Sequence, residues 1–573
     1  MVGPAAETLP GAPPPARAVR LRWSADDFVM CAGLVLLLLF LLVFIGVPLW
    51  ALLSKGFQDK TGEYVGFANF LAYFRTGAPL DSLKHSLTVS ALATAIVVPL
   101  AFVYAYALTR SCMALKGLFG ALALIPILAP SLLPALSLVY IFGNQGFLKI
   151  LLFGESVYGP IGIVIAQVFY CFPFAVMILV TALRIADGRL YEAADALGAS
   201  RMRIFWTVTL PGAKYGLVSA AFVVFTLVIT DFGIPKVIGG QYNVLSTDVY
   251  KQVIGQQNFE MGAVVGLVLL VPAILSFGVD RLVQRRQVAM LSARAVPLVP
   301  KSSPAFDRTM FAFCAIVAGL LLFVLLVAVW GSFVSFWPYN LSLSLKNYDF
   351  ATHDDSGWRS YWHSLEMAAW TALAGTLVVF SGGWLIEKSK GFAVLKFPAH
   401  LLAMLPLAVP GLVLGLAYIF FFNAPWNPLN FLYGTLAILV LNSVAHFYTV
   451  GHLTSLTALK QIDPEFESVS ASLKAPVLRT FARVTVPVCV PAILDIGIYF
   501  FVNAMTTVSA VIFLYSANTK LASIAVVSMD DTGATAAAAA MASLIFATSA
   551  AVRGLHGLLS RRLVARTQAW RRR

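Results

Sequence analysis

The chain has 573 residues, 60% of them hydrophobic and only 12% charged, with a formal net charge of +14. That balance excludes a soluble globular protein, which needs far more charged surface to cover its core. The excess of basic residues does not indicate nucleic-acid binding either, because no basic stretch interleaves aromatic residues within a folded domain.

Taken in order, apolar segments about 20 residues long are sufficient to cross a bilayer as helices. They are centred near Leu38, Val98, Ser131, Gln167, Val223, Val268, Leu322, Leu373, Pro410, Leu441, Ile498 and Ile545. The expected fold class is therefore all-α, a polytopic membrane protein with about 12 transmembrane helices. The first segment, Val29–Leu52, is longer than a signal-peptide core and has no A-x-A exit, so it reads as a retained anchor. Cys31, Cys112, Cys171, Cys314 and Cys489 lie in or beside apolar segments without metal-ligand spacing and read as core-filling residues. With the N-terminus cytoplasmic, the inside segments carry 30 of the 40 Lys and Arg residues, the bias that the positive-inside rule requires. Both termini are then cytoplasmic, and the Arg285–Arg286 pair and the Arg571–Arg573 run face anionic lipid.

The two halves repeat. Thr181–Asp187 matches Thr457–Asp463 at an offset of 276, which also pairs Leu197 with Leu473, Phe205 with Phe481, Thr209 with Thr485, Pro211 with Pro487 and Phe225 with Phe501. His85-Ser86-Leu87 pairs with His363-Ser364-Leu365 at 278, and Pro126 and Pro130 pair with Pro406 and Pro410 at 280. Six expected helices per repeat is an even number, so both copies insert the same way up and the natural pathway is the seam between them. The expected division is 1–290, a first six-helix unit; 291–304, a cytoplasmic linker; and 305–573, a second six-helix unit.

The strongest local signal is the loop 187–211. Leu190, Ala193, Ala194 and Leu197 recur at helical spacing, Gly198 permits a tight turn, and a second short helix, Arg201–Val208, is expected before Pro211 opens the next span. The product is a helix–turn–helix on the cytoplasmic surface with alanines at its tip; an ordinary interfacial amphipathic helix is the simpler alternative. With Glu192-Ala193-Ala194, Gly198 and the Leu210-Pro211 exit in this order, and in duplicate, the segment resembles the EAA loop of ABC-importer permeases of the MetI-like type I family. The resemblance implies that the loop docks an ATPase subunit and gives the coupling role to Glu192, Ala193, Ala194 and Gly198. The second copy, 463–487, departs from the pattern: Ser468 stands at the Glu192 position, Lys474 at the Gly198 position, and Glu467 is one place early. Glu467, Ser468 and Leu473 are its candidate coupling residues, and unequal loops are expected.

No G-x-x-x-x-G-K-[ST] phosphate loop occurs, so the resemblance implies no cofactor on this chain, with ATP and magnesium on two partner ATP-binding cassette subunits. The other implied partners are a periplasmic substrate-binding protein and membrane lipid, with no nucleic acid, in a bacterial inner membrane. The runs Thr480–Cys489, Phe501–Ala510 and Phe513–Ala522 resemble permeases for 2-aminoethylphosphonate import, with ferric iron as the alternative cargo and an ion-coupled secondary transporter as a remoter class. Deep acids of the kind ion coupling uses are scarce, and no catalytic constellation lies in the spans, so no enzyme is expected. Candidate pathway residues are Thr230 and Asp231 in the fifth span and Asn503, Thr506, Thr507 and Ser509 in the eleventh; helix–helix hydrogen bonding is the structural alternative. Asp495 is the clearest acid within a span. The outer loops Ser54–Lys84 and Ser335–Trp362 are long enough to seat a binding protein. His353, Asp354, Asp355 and His363 read as a solvated loop, and no metal site is assigned.

Overall fold

The computed structural model describes residues 24–75, 77–290, 296, 298–389 and 391–567. The Arg571–Arg573 run and part of the expected linker (291–295 and 297) lie outside the described residues. Helices dominate because unbroken apolar segments can satisfy their backbone groups in lipid only internally.

In the first half these are α1 (Ala25–Gly56), α2 (Ala78–Arg110), α3 (Lys116–Leu128), α4 (Leu132–Phe142), α5 (Pro160–Arg184), the short α6 (Gly188–Ala196), α7 (Arg201–Thr230), the short α8 (Gly233–Ile238) and α9 (Leu245–Tyr250), and α10 (Phe259–Met290). Among the described residues the second half repeats the order, without a helical counterpart of α8, with α11 (Pro304–Phe333), α12 (Trp358–Lys388), α13 (Ala393–Ala408), α14 (Gly411–Phe422), α15 (Leu436–Lys460), α16 (Glu465–Ser472), α17 (Val477–Thr506), α18 (Ala522–Asp531) and α19 (Thr535–Thr567). A small antiparallel hairpin, β1 (Val334–Phe336) with β2 (Asn340–Leu343), follows α11.

Ten helices are long and apolar enough to cross a membrane, or up to twelve if each of two bent pairs counts as one span. The bent pairs are α3 with α4, at 98°, and α13 with α14, at 119°. Both break where Pro126/Pro130 and Pro406/Pro410 recur: each chain passes through a short 3-10 turn and an extended residue, Ala129 or Val409, just ahead of the second proline. Proline removes the donor and disfavours helix at the residue before it, so the expected spans centred near Ser131 and Pro410 are each kinked.

Within each half, four helices form the inner bundle: α2, α5, α7 and α10 in the first, α12, α15, α17 and α19 in the second. The leading helices cross over. α1 packs on α12, α13 and α14, with Tyr418 Oη donating to the Phe44 carbonyl at 2.7 Å, and α11 packs on α2, α3, α4 and α19. Close approach is set by small residues: a Cβ on Gly33 would meet Leu385 at 2.7 Å, and one on Gly331 would meet the Tyr140 ring at 2.8 Å. The two units are thus interleaved at their edges.

One polar link is duplicated with different chemistry. Ser219 Oγ donates to Asp280 at 2.5 Å between α7 and α10; at the same offset of 276, Asp495 and His556 face each other at 3.3 Å between α17 and α19. Asp280 is a buried acid that charge counting along the chain passed over.

Candidate functional site

The first candidate coupling loop begins at Asp187, whose side chain accepts from the Arg189 backbone N–H at 3.1 Å and caps α6. The Arg189 guanidinium on the same carboxylate, 2.7 Å away, holds the Asp187 carboxyl down at about 2. α6 ends in a Schellman turn: the Gly198 N–H donates to the Asp195 carbonyl at 2.9 Å and the Ala199 N–H to that of Ala194 at 3.0 Å. Gly198 has φ +70°, and a Cβ there would meet nothing within 4 Å, so only the backbone conformation asks for glycine.

The second loop reproduces this geometry without the glycine. Lys474 N–H donates to Ala471 at 3.0 Å, Ala475 N–H to Ser470 at 3.0 Å, and Lys474 itself takes φ +51°. The turn is therefore held by its two closing hydrogen bonds, and the inequality foreseen between the loops lies in side chains, not in backbone path.

The expected short helix Arg201–Val208 is corrected by the structure: it is the first part of span α7, continuous from Arg201 to Thr230. A wide π-type turn at Phe205–Thr209 absorbs Pro211, which cannot donate, and the same turn recurs at Phe481–Thr485 ahead of Pro487. Each of the two loops thus leads straight into a helix long and apolar enough to span a membrane. Phe205 anchors the first lever against Phe102 and Tyr106 of α2, with ring centroids at 6.1 and 5.8 Å. Phe481 anchors the second against Phe380 and Trp384 of α12, at 6.0 and 4.4 Å.

Glu192, Ala193 and Gly198 are exposed, Ala194 is half-buried, and Leu197 at 87% exposure forms an apolar tip. In the second loop Ser468 is exposed, Leu473 is 75% exposed, and Phe466 and Val469 widen the apolar tip. Glu467 is engaged within the chain, on Lys388 Nζ at 2.5 Å, where it ties α16 to the end of α12.

Three braces were not foreseen. Arg110 of α2 donates to the Leu183 carbonyl at 2.6 Å and lies 5.2 Å from the ring centre of Tyr191, whose hydroxyl reaches Thr209 Oγ1 at 3.1 Å. The segment before α11 runs along the first loop: Gly188 N–H donates to Val296 at 2.7 Å, and Lys301 pairs with Asp195 at 2.7 Å. Correspondingly Asp26, at the start of α1, accepts from Val477 N–H of the second loop at 3.1 Å. Each crossing helix carries its brace to the other unit's loop.

The pathway candidates lie where α7 and α17 break. Asp231 and Thr507 are matching cap residues with φ −70°, ψ 135° and φ −69°, ψ 137°. Asp231 accepts from Gln167 Nε2 at 2.9 Å and from the Ile234 N–H at 3.0 Å, fixing the start of α8. Thr230, Asn503 and Thr506 bond back to their own helices, to the carbonyls of Thr226, Tyr499 and Val502. Ser509 crowds Gly411 together with His446, which no sequence pattern marks: a Cβ on Gly411 would meet Ser509 Oγ at 2.8 Å and His446 Nε2 at 3.1 Å.

The outer His-Asp run is also reassigned. Asp354 is buried and pairs with Lys520, while His363 Nδ1 lies 3.2 Å from the Lys520 carbonyl, so Asp354 and His363 tie the outer loop to the chain ahead of α18. Among the described residues no group of three or more His, Cys, Asp or Glu side chains is arranged to hold a metal ion.

Residues 97–288 match the family described as binding-protein-dependent transport system inner membrane component. The chain is 27% identical over 556 residues to the ferric transport system permease protein FbpB of Actinobacillus pleuropneumoniae, covering 93% of this chain and 78% of the relative. It is 30% identical over 165 residues to the molybdenum transport system permease protein ModB of Azotobacter vinelandii, covering 28% of this chain and 73% of the relative. A solved bacterial alginate ABC transporter, in complex with an alginate pentasaccharide-bound periplasmic protein, aligns with a TM-score of 0.39 at 16% identity over 46% of this chain and 96% of that one. The chain belongs to the binding-protein-dependent transport system inner membrane component family and is a multi-pass ABC-importer permease with two fused units.

Proposed function

We propose that this permease carries ferric iron from periplasm to cytoplasm, driven by two ATP-binding subunits seated on its two loops and fed by a periplasmic binding protein. The observation that supports the cargo is the match to a ferric permease along 93% of the chain, through both units, where the molybdenum relative matches only 28%. It favours ferric iron, the alternative, over the 2-aminoethylphosphonate suggested by the C-terminal runs. In this reading 1–290 and 305–573 are the two permease units and 291–304 joins them on the cytoplasmic side, with both termini inside. Glu192, Ala193, Ala194 and Gly198 on one loop, and Ser468 and Leu473 on the other, meet the ATPase, while Glu467 braces its loop through Lys388. Thr230, Asp231, Asn503, Thr506, Thr507 and Ser509 flank the route at the span breaks. The exposed aromatic and aliphatic side chains of the outer loops, among them Tyr64, Phe67, Phe336 and Tyr339, supply apolar contacts for the binding protein.

The test is competitive uptake in proteoliposomes holding the complete transporter and its cognate binding protein. Radiolabelled ferric iron should accumulate on ATP, and 2-aminoethylphosphonate should neither accumulate nor compete. Accumulation of the phosphonate with exclusion of iron would reverse the cargo assignment.

A further inference from the structure

At the end of the seam remote from the docking loops, the two copies are tied by contacts that join one half to the other. α7 and α17 run inward from the loops and break at Thr230 and Thr506, and α8 and α18 come after those breaks. There Lys236 Nζ of α8 lies 2.9 Å from Asp531 Oδ1 of α18. The same ammonium lies 5.1 Å from the centre of the Tyr250 ring in α9. That ring in turn stacks on Phe513 of the second copy, with centroids 6.3 Å apart and planes at 20°. One cation therefore joins a carboxylate of the opposite half to an aromatic ring that is itself stacked across the seam. The Lys236 side chain is 21% exposed and that of Asp531 48%, so the pair is sheltered at its ammonium and open to solvent at its carboxylate, and the ring adds to what the ion pair alone contributes.

The repeat shows that this tie is made on one side only. Leu245 N–H donates to Ser86 Oγ and Ala522 N–H to Ser364 Oγ, each at 2.8 Å, which sets α9 and α18 in register at an offset of 277. That register places Ile254 at the Asp531 position, and the offset of 276 places Ile512 at the Lys236 position. The symmetry-related position thus offers two isoleucines where the observed one offers an ion pair.

We propose that Lys236 and Asp531 form the lock that holds the remote end of the seam shut in the resting importer, and that cargo enters when it parts. This rests on the reading of the chain as an ATP-driven importer. Opening the far end is linked to closure of the ATPase subunits on the loops, so weakening the lock shifts the resting population toward the hydrolysing state.

The complete transporter is reconstituted in liposomes, and ATP hydrolysis is measured without binding protein, uptake with it. Lys236→Met and Asp531→Asn should each raise basal hydrolysis by at least about threefold, and the exchanged pair Lys236→Asp/Asp531→Lys should return it to within about twofold of wild type. Unchanged basal hydrolysis in both single variants, or an exchanged pair no better than the singles, overturns the lock. A second pair covers variants that do not insert: Lys236→Cys/Asp531→Cys, bridged by a short bifunctional thiol reagent, should lose uptake and regain it on cleavage of the bridge, with the parent chain treated alike as control. Wild-type uptake by the bridged pair overturns the proposal equally. Wild-type vesicles that take up nothing on ATP overturn the import reading itself, whereas active wild-type vesicles with unaltered variants overturn the lock alone.

Discussion

Lys474→Gly isolates the backbone cost hidden in the turn of the second loop. A side-chain-bearing residue in the left-handed region costs roughly 1–2 kcal/mol, and glycine returns about 0.5–1 kcal/mol of that by loosening the unfolded chain. The difference is a gain of about 1 kcal/mol in local stability, close to a fivefold change in the opening equilibrium. The reporter is hydrogen exchange at the Ala475 N–H, whose bond to Ser470 at 3.0 Å closes the turn. Exchange there should slow about fivefold, and the mirror substitution Gly198→Ala should speed exchange at Ala199 by a similar factor, because a Cβ at 198 meets nothing and only the φ of +70° resists it. Faster exchange in Lys474→Gly, or none of the expected change in Gly198→Ala, would refute the claim that the two turns share one conformation.

Phe205→Ala and Phe481→Ala should each cost about 2 kcal/mol, less than a fully buried phenylalanine because both are half-buried, and should leave ATP hydrolysis running without matching uptake. Ser219→Asp places a second carboxylate against buried Asp280, a repulsion of about 4 kcal/mol, and should abolish accumulation of the chain in membranes. Adding Asp280→His copies the Asp495–His556 pair of the second unit and should restore accumulation, measured by quantitative immunoblotting. The Asp187 carboxyl, depressed to about 2 by Arg189, stabilises its loop above the ordinary value of 3.8 and loses that contribution only as pH falls through about 2. Exchange rates in the first loop, corrected for intrinsic chemistry, should therefore show no Asp187 transition between about pH 5 and 8.

Much of this architecture is legible in the sequence because membrane insertion reads local properties: span length, basic loops, and a repeat kept in register by Thr181/Thr457 and Pro211/Pro487. The helix–turn start of the loop 187–211 was legible because Asp187 and Gly198 mark the cap and the left-handed turn that bound α6. The crossing of α1 and α11 was not, since an apolar helix face suits lipid and protein alike and carries no address for its neighbour. Pro126/Pro130 and Pro406/Pro410 stand at the kinks, but hydropathy marks each segment only as apolar and carries no angle. Lys474 shows the opposite limit: its identity argues against a left-handed turn, and the two closing hydrogen bonds prevail over that preference. The braces through Arg110, Asp26 and Lys301 connect residues distant in sequence, and no local pattern marks them.

The central claim is that two exposed loops on rigid levers couple this permease to ATP. The most direct measurement is iron uptake by proteoliposomes holding the complete transporter, with ATP removed in one arm and all ion gradients collapsed by uncouplers in the other. The account predicts that uptake stops without ATP, survives the uncouplers, and is lost when Gly198 is replaced by tryptophan although the chain still inserts. Uptake that persists without ATP and collapses with the gradients would contradict it.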